Sequence, residues 1–206
     1  MGKRESNTVA TKERIVDAAE ALFDKHGISS TSLANIAEQA NVSTGTVFIY
    51  YPAKADIIRA ILSRLFAKST LKDLPSTPAR TPEDAMDQLT AIVQRAVDAG
   101  AQNARGVGAA WSAVQVDPAF ASLWEREQSR RWNELKVFTT QWAERGLLKP
   151  KLSATQAADI LWSMTGPLVF RAFVRESGWN PEQYQRWLKT VLYREVLGVG
   201  TPPEFR

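Results

Sequence analysis

Cysteine is absent from this chain of 206 residues, and histidine occurs once, as His26. Without cysteine there is no disulfide framework and no thiolate metal site, and a reducing compartment suits the chain. One histidine leaves a Ser-His-Asp relay or a histidine-rich metal centre almost nothing to work with. His26 itself precedes Gly27 at the end of a helical pattern, where an imidazole interacts well with the helix dipole. Long apolar runs are missing too. No segment reaches the roughly 18 unbroken apolar residues of a membrane span, and the stretch MGKRESNTVATKERIV holds no apolar run of signal-peptide length. Strand-like alternation persists nowhere, and there is no internal repeat or low-complexity segment. The expectation is a soluble, cytoplasmic, all-α protein with no catalytic residues, no metal, no cofactor and no membrane partner.

What is present is a core. At 44% hydrophobic the chain can bury a sizeable apolar interior, which argues against disorder. The formal charge of +4 is compatible with a polyanionic partner. Yet residues 1–60 hold seven Lys/Arg and seven Asp/Glu, so any nucleic-acid contact there must come from local placement. Lys3, Arg4, Lys12 and Arg14 are candidates for a basic N-terminal arm, with a solvated tail as the plainer reading.

Helical periodicity dominates. Ile15, Ala18, Ala19, Leu22 and Phe23 recur at helical spacing, and Gly27 is a natural stop. Thr31 or Ser32 caps a second helix, LANIAEQA, and Ser43 a third. That third helix must end near Pro52, because the residue before proline is pushed out of the α region. A longer helix, KADIIRAILSRLFAKS, precedes LKDLPSTPARTP, where three prolines mark a loop or hinge. Further helices are expected over 82–102, 104–116, Asp117 to Arg145, Ser153 to Glu176 with a kink at Gly166-Pro167, and Asn180 to Leu197. About nine helices result, in two domains spanning 1–56 and 57–206.

The stretch STGTVFIYYPAK, residues 43–54, carries a single charge at Lys54. At about 100° per residue, Val47 and Tyr51 point together, flanked by Thr44 and Tyr50, and can pack on Leu33, Ile36 and Ala37. The other side shows Gly45 and Ile49, with Thr46 and Phe48 at its margins. A solvated helix would place charge there. A helix entering the DNA major groove need not, since hydroxyls bond to phosphates or base edges and apolar side chains touch thymine methyls. Gly45 allows a close backbone approach. Two short helices joined by ANVS thus read as a helix-turn-helix. The competing reading makes Phe48, Ile49 and Tyr50 ordinary core, but so short a helix cannot bury every side.

Residues 11–57 resemble the DNA-binding domain of the tetracycline-repressor (TetR) family of bacterial transcription regulators. The matching features run in order: Phe23-x-x-x-Gly27, Thr31-Ser32 before Ile36-Ala37, Val42-Ser43-x-Gly45-Thr46, and Tyr50-Tyr51-Pro52-x-Lys54. The resemblance implies a three-helix DNA-binding domain followed by a helical ligand-binding and dimerisation domain. It assigns Ser43, Thr44, Gly45, Thr46, Phe48 and Ile49 to a recognition helix, and Tyr50, Lys54 and Thr31 or Ser32 to phosphates. Three positions depart from the family pattern: Ala34, where arginine is frequent, Thr44, where a basic residue is frequent, and Ala53, where serine is frequent. Fewer bidentate base contacts follow, so operator readout leans on methyl contacts and DNA shape.

All seven tryptophans lie after residue 110. By the resemblance, the helices carrying Trp111, Trp124, Trp132, Trp142 and Trp162 surround a ligand cavity. Trp111, Trp132 and Trp162 are the expected lining residues, with Arg105 and Gln115 as polar partners, against a plain role in core packing. A cationic effector calls for acidic groups among the aromatics, for which Glu125, Glu127, Glu134 and Asp159 are available. The stretch ATQAADILWSMTGPLVFRAFV is apolar nearly all round, which implies burial on two sides. The last helix bears a stripe of Tyr184, Trp187, Leu188, Val191, Leu192 and Val196. Family resemblance pairs these two helices with those of a second subunit, which suits two half-sites on operator DNA. The function expected is a ligand-responsive regulator, a repressor released by a small hydrophobic or aromatic inducer. Rival readings are a small-molecule-binding or protein-interaction module without operator binding, and an enzyme using buried carboxylates such as Glu125, Glu127 or Asp159; the charged context WEREQSRR argues against the last.

Overall fold

The structure, a computed structural model, describes residues 3–74 and 77–198, with the backbone alone at residues 3–5 and 104. The arm candidates Lys3 and Arg4 therefore have side chains outside the described residues. The chain is all-helical among those residues: α1 (Lys3–His26), α2 (Leu33–Gln39), α3 (Thr44–Tyr50), α4 (Lys54–Lys68), α5 (Pro82–Val116), α6 (Pro118–Glu144), α7 (Ala154–Met164), α8 (Pro167–Phe170) and α9 (Pro181–Leu192). A π-helical stretch extends α8 over Arg171–Glu176, and another extends α9 over Tyr193–Leu197. Two compact units result, one of residues 1–66 with 105–124, the other of 67–104 with 125–206.

In the first unit, helical phase decides the packing. Ile15, Ala19 and Phe23 of α1, Ile36 and Ala37 of α2, Val47 of α3 and Ile57, Ile61 and Leu62 of α4 are buried in one core with Val107, Ala110 and Trp124. Gly27, with φ +81°, ends α1 in the left-handed region open to glycine. Ser32 and Asn35 form a reciprocal cap at the start of α2. Asn41, φ 53°, turns the chain toward α3; asparagine tolerates that conformation better than most residues. Ala53, which has no capping oxygen, is served instead by Asp56, whose carboxylate accepts the Ala53 N–H at 3.0 Å. Arg64 of α4 pairs with Asp17 at 2.5 Å and Glu20 at 2.6 Å on α1.

The second unit buries Leu89, Ile92 and Val93 of α5 with Leu135, Phe138 and Trp142 of α6, Leu161 of α7 and Tyr184, Leu188 and Leu192 of α9. At the start of α5 the Asp84 carboxylate accepts the N–H groups of Arg80 (2.7 Å) and Thr81 (3.0 Å), and these bonds hold its pKa below the ordinary value. Ser153 and Asn180 cap α7 and α9. The expected kink is a full interruption: α7 stops at Met164, Gly166 is extended, and Pro167 starts α8, since proline cannot follow a helical residue without a clash. Arg131, buried on α6, closes this helix end by donating to the Trp162 carbonyl at 3.1 Å and to the Thr165 hydroxyl. Its charge faces the negative end of α7, while burial pushes its pKa down to about 10.

One expected boundary is not observed. Residues 82–102 and 104–116 form the single helix α5, because the glycines near the junction, Gly100, Gly106 and Gly108, weaken the pattern without removing a backbone donor as proline does. Asn103, the polar residue at the expected break, turns its amide onto the Ala99 carbonyl of the same helix at 2.7 Å.

Candidate nucleic-acid interface and effector cleft

The seven residues of α3 divide as their phase requires. Val47 is wholly buried, whereas Phe48 is 51% and Ile49 78% exposed. Thr44 and Gly45 are exposed beside them and Thr46 is half-buried. Ser43 caps the helix: its Oγ accepts the Thr46 N–H at 3.0 Å and lies 2.8 Å from the Thr46 hydroxyl. The Ser43 and Thr46 hydroxyls thus bond to each other at the helix start, and the surface presented beside them is small and, apart from the Thr44 hydroxyl, apolar. Tyr50 is half-buried, with the Lys12 ammonium 5.6 Å from its ring centroid.

Within the second unit, α6 and α7 border a cleft of about 430 Å³ lined by Gln128, Ser129, Trp132, Asn133, Asp159 and Trp162. Its volume falls within the roughly 300–1,000 Å³ usual for small-molecule sites. Trp132 donates its indole N–H to Asp159 Oδ1 at 2.8 Å. The Lys136 ammonium lies 5.9 Å from the Trp132 ring centroid and donates to the Thr155 hydroxyl at 2.7 Å. Trp162 has a buried indole nitrogen with no acceptor.

Comparison with known proteins places this geometry. Residues 15–61 match the family model described as bacterial regulatory proteins, tetR family. The HTH-type transcriptional repressor KstR of Rhodococcus jostii is 30% identical over 100 residues, 47% of each chain. The HTH-type transcriptional regulator TtgR of Pseudomonas putida is 40% identical over 55 residues, 27% of this chain and 26% of its own. The match therefore spans less than half the length of these two relatives. Among solved structures, the SmeT–triclosan complex shares the fold with a TM-score of 0.66 at 19% identity, covering 96% of this chain and 97% of that one.

The N-terminal part of the chain, residues 15–61, is that of the TetR family. Within and beside it the anticipated DNA-contact residues separate by environment. Ser32, Ser43, Thr44, Gly45, Phe48 and Ile49 are exposed, and Thr46 and Tyr50 half-exposed. Thr31 is not available at the surface: it is buried and its hydroxyl donates to the Gly27 carbonyl at 2.9 Å. The Lys54 ammonium donates to the carbonyls of Ile28 and Thr31, both at 2.9 Å. Of the tryptophans singled out, Trp132 and Trp162 line one cleft. Trp111 belongs to the first unit and packs edge-on against Trp124 at 5.8 Å; it does not line the cleft, and neither do Arg105 and Gln115. Sequence reasoning passed over Gln128, Ser129 and Asn133. Their signal was available in the spacing of 128 to 132 and 129 to 133, which puts all three on the Trp132 face of one helix.

Among the described residues no group of three or more His, Cys, Asp or Glu side chains is placed to hold a metal. No helix among them is long and apolar enough to cross a membrane.

Proposed function

We propose that this chain is a cytoplasmic, ligand-responsive transcriptional repressor that acts by binding and carries out no catalysis. The observation that carries the reading is the exposed pair Phe48 and Ile49 on a helix anchored by the buried Val47. Such side chains left in water cost apolar hydration, and a thymine methyl in the major groove relieves it. Thr44 and Thr46 supply hydroxyls beside them, Gly45 lets the backbone approach, and Ser43 fixes the helix start. Tyr50 and Ser32 are the phosphate contacts. Thr31 and Lys54 act one step back, by holding the loop between α1 and α2 in place. KstR carries the description of repressor, which favours repression over activation.

Residues 1–56 serve DNA binding, and 57–206 serve effector binding and dimerisation. The α6–α7 cleft is the effector site, with Trp132 and Trp162 as its aromatic walls; SmeT, of the same fold, is a triclosan complex. Half-buried Ile160 and Met164 of α7 and Trp187 and Val191 of α9 support a homodimer through these two helices. The effector acts through its different affinity for DNA-competent and DNA-incompetent states.

The experiment is a fluorescence-anisotropy titration with the DNA upstream of the coding region, for wild type and for Phe48→Ala/Ile49→Ala, over a range of salt. Selective, salt-sensitive binding that the double variant loses is expected. Binding no better than to random DNA, here and after selection from random sequences, would favour a ligand-binding module without an operator.

A further inference from the structure

We propose that the α6–α7 cleft takes an organic cation, an ammonium group carried on an apolar body. This rests on reading the cleft as the effector site, and the experiment below separates the two.

Charge accounting within the second unit carries the assignment. Four acidic residues stand near the tryptophans of α6 and α7, and the structure treats them differently. Glu127 and Glu134 are both held by Arg130, at 2.7 Å and 2.6 Å, and Glu134 further accepts the Leu71 N–H at 2.9 Å. Glu125 is exposed and does not line the cleft. Asp159 alone of the four lines it. One of its oxygens accepts the Trp132 indole N–H, and no Lys or Arg among the described residues pairs with it. The lining thus holds one formal charge, negative, together with two indoles. Gln128, Ser129 and Asn133 add neutral polar groups. An anion entering here would meet Asp159, and the cation beside the lining, Lys136, is already held over the Trp132 ring by the Thr155 hydroxyl. A cation would meet a carboxylate and aromatic faces together.

The Trp132 ring already shows this preference, since the Lys136 ammonium sits over it. Lys136 is therefore a tethered stand-in for the ligand's charge and competes with it. Trp162 contributes differently. Its main-chain carbonyl is fixed by Arg131, but its indole N–H has no acceptor, so a turn of this ring toward a ligand would break no hydrogen bond.

Isothermal titration of the full chain with benzyltrimethylammonium, benzyl alcohol and benzoate tests the assignment. The cation is expected to bind about tenfold more tightly than either comparison compound. Asp159→Asn, at an exposed position, should lose about tenfold in cation affinity and leave benzyl alcohol unchanged. Trp132→Leu should weaken cation binding, and Lys136→Gln should strengthen it several-fold. Benzoate or benzyl alcohol binding as tightly as the cation, and weakened by Trp132→Leu, overturns the cation assignment and leaves the cleft an effector site. Binding insensitive to Trp132→Leu and Trp162→Leu, or no heat with any probe at roughly millimolar concentration, overturns the assignment and the cleft reading alike.

Discussion

Replacing Gly106 by alanine sets two effects of opposite sign against each other. Inside a helix, alanine is favoured over glycine by about 1 kcal/mol, and Gly106 lies within α5. A Cβ at this position would, however, sit 2.5 Å from Glu20 Oε1, 2.9 Å from Glu20 Cδ and 3.0 Å from Ile61 Cγ2. A free glutamate would swing aside at little cost. Glu20 is not free, because Arg64 holds it at 2.6 Å and is itself held by Asp17. Breaking a fully buried ion pair costs about 3–5 kcal/mol. The Arg64 side chain keeps 23% of its exposure and Asp17 65%, so screening reduces the figure to about 2–3 kcal/mol. The net expectation is destabilisation by about 1–2 kcal/mol, a melting-point drop of about 2–8 °C for a chain of this size. Denaturant melts of wild type, Gly106→Ala, Glu20→Ala and the double variant close a thermodynamic cycle. In the Glu20→Ala background the carboxylate is gone and Gly106→Ala should be neutral or stabilising by up to about 1 kcal/mol. Equal stabilisation by Gly106→Ala in both backgrounds would refute the claim that Glu20 is pinned.

Three further outcomes follow from contacts already described. Lys54→Met removes two charge-assisted bonds to the carbonyls of Ile28 and Thr31, and should lower stability by about 1–2 kcal/mol; a pure phosphate contact would instead leave the urea midpoint alone and reduce the salt slope of DNA binding by about 1. Val47→Ala empties a wholly buried site and should cost about 1–2 kcal/mol, whereas Ile49→Ala should shift stability by no more than about 0.5 kcal/mol while weakening operator binding in the anisotropy assay. Asp84 has its pKa depressed in the folded state by the N–H groups of Arg80 and Thr81, so its contribution is present above the ordinary aspartate pKa and fades as pH falls through the lower folded value. Asp84→Asn should therefore be less stable than wild type at neutral pH, with the gap in urea midpoint closing in acid; a gap independent of pH would assign the effect to something other than the carboxylate charge.

How much the sequence disclosed depended on how local the physics was. The two faces of α3 were legible because helical phase is fixed by covalent geometry: once Val47 points inward, Ile49 must point away. Caps at Ser32, Ser43, Ser153 and Asn180 were legible for the same reason, each acting on a donor three residues on. Lys54 was not, because its partners Ile28 and Thr31 lie 26 and 23 residues away, and a lysine beside a DNA-binding helix suggests phosphates first. Trp132 and Asp159, 27 residues apart, met the same obstacle. Trp111 and Trp132 could not be sorted by residue type at all, since both are tryptophans on amphipathic helices and only tertiary packing puts one beside Trp124 and the other beside Asp159. The proline-rich loop at 71–82 suggested a boundary nearby, but no change in composition announces that residues 105–124 return to pack with residues 1–66. The same distinction bears on function. An exposed apolar pair such as Phe48 and Ile49 can be inferred from phase alone, so its exposure was within reach of the sequence. The charge presented by a cleft depends on which carboxylates are already paired, and that becomes visible only when Arg130 is seen to hold Glu127 and Glu134 while Asp159 stands without a cation.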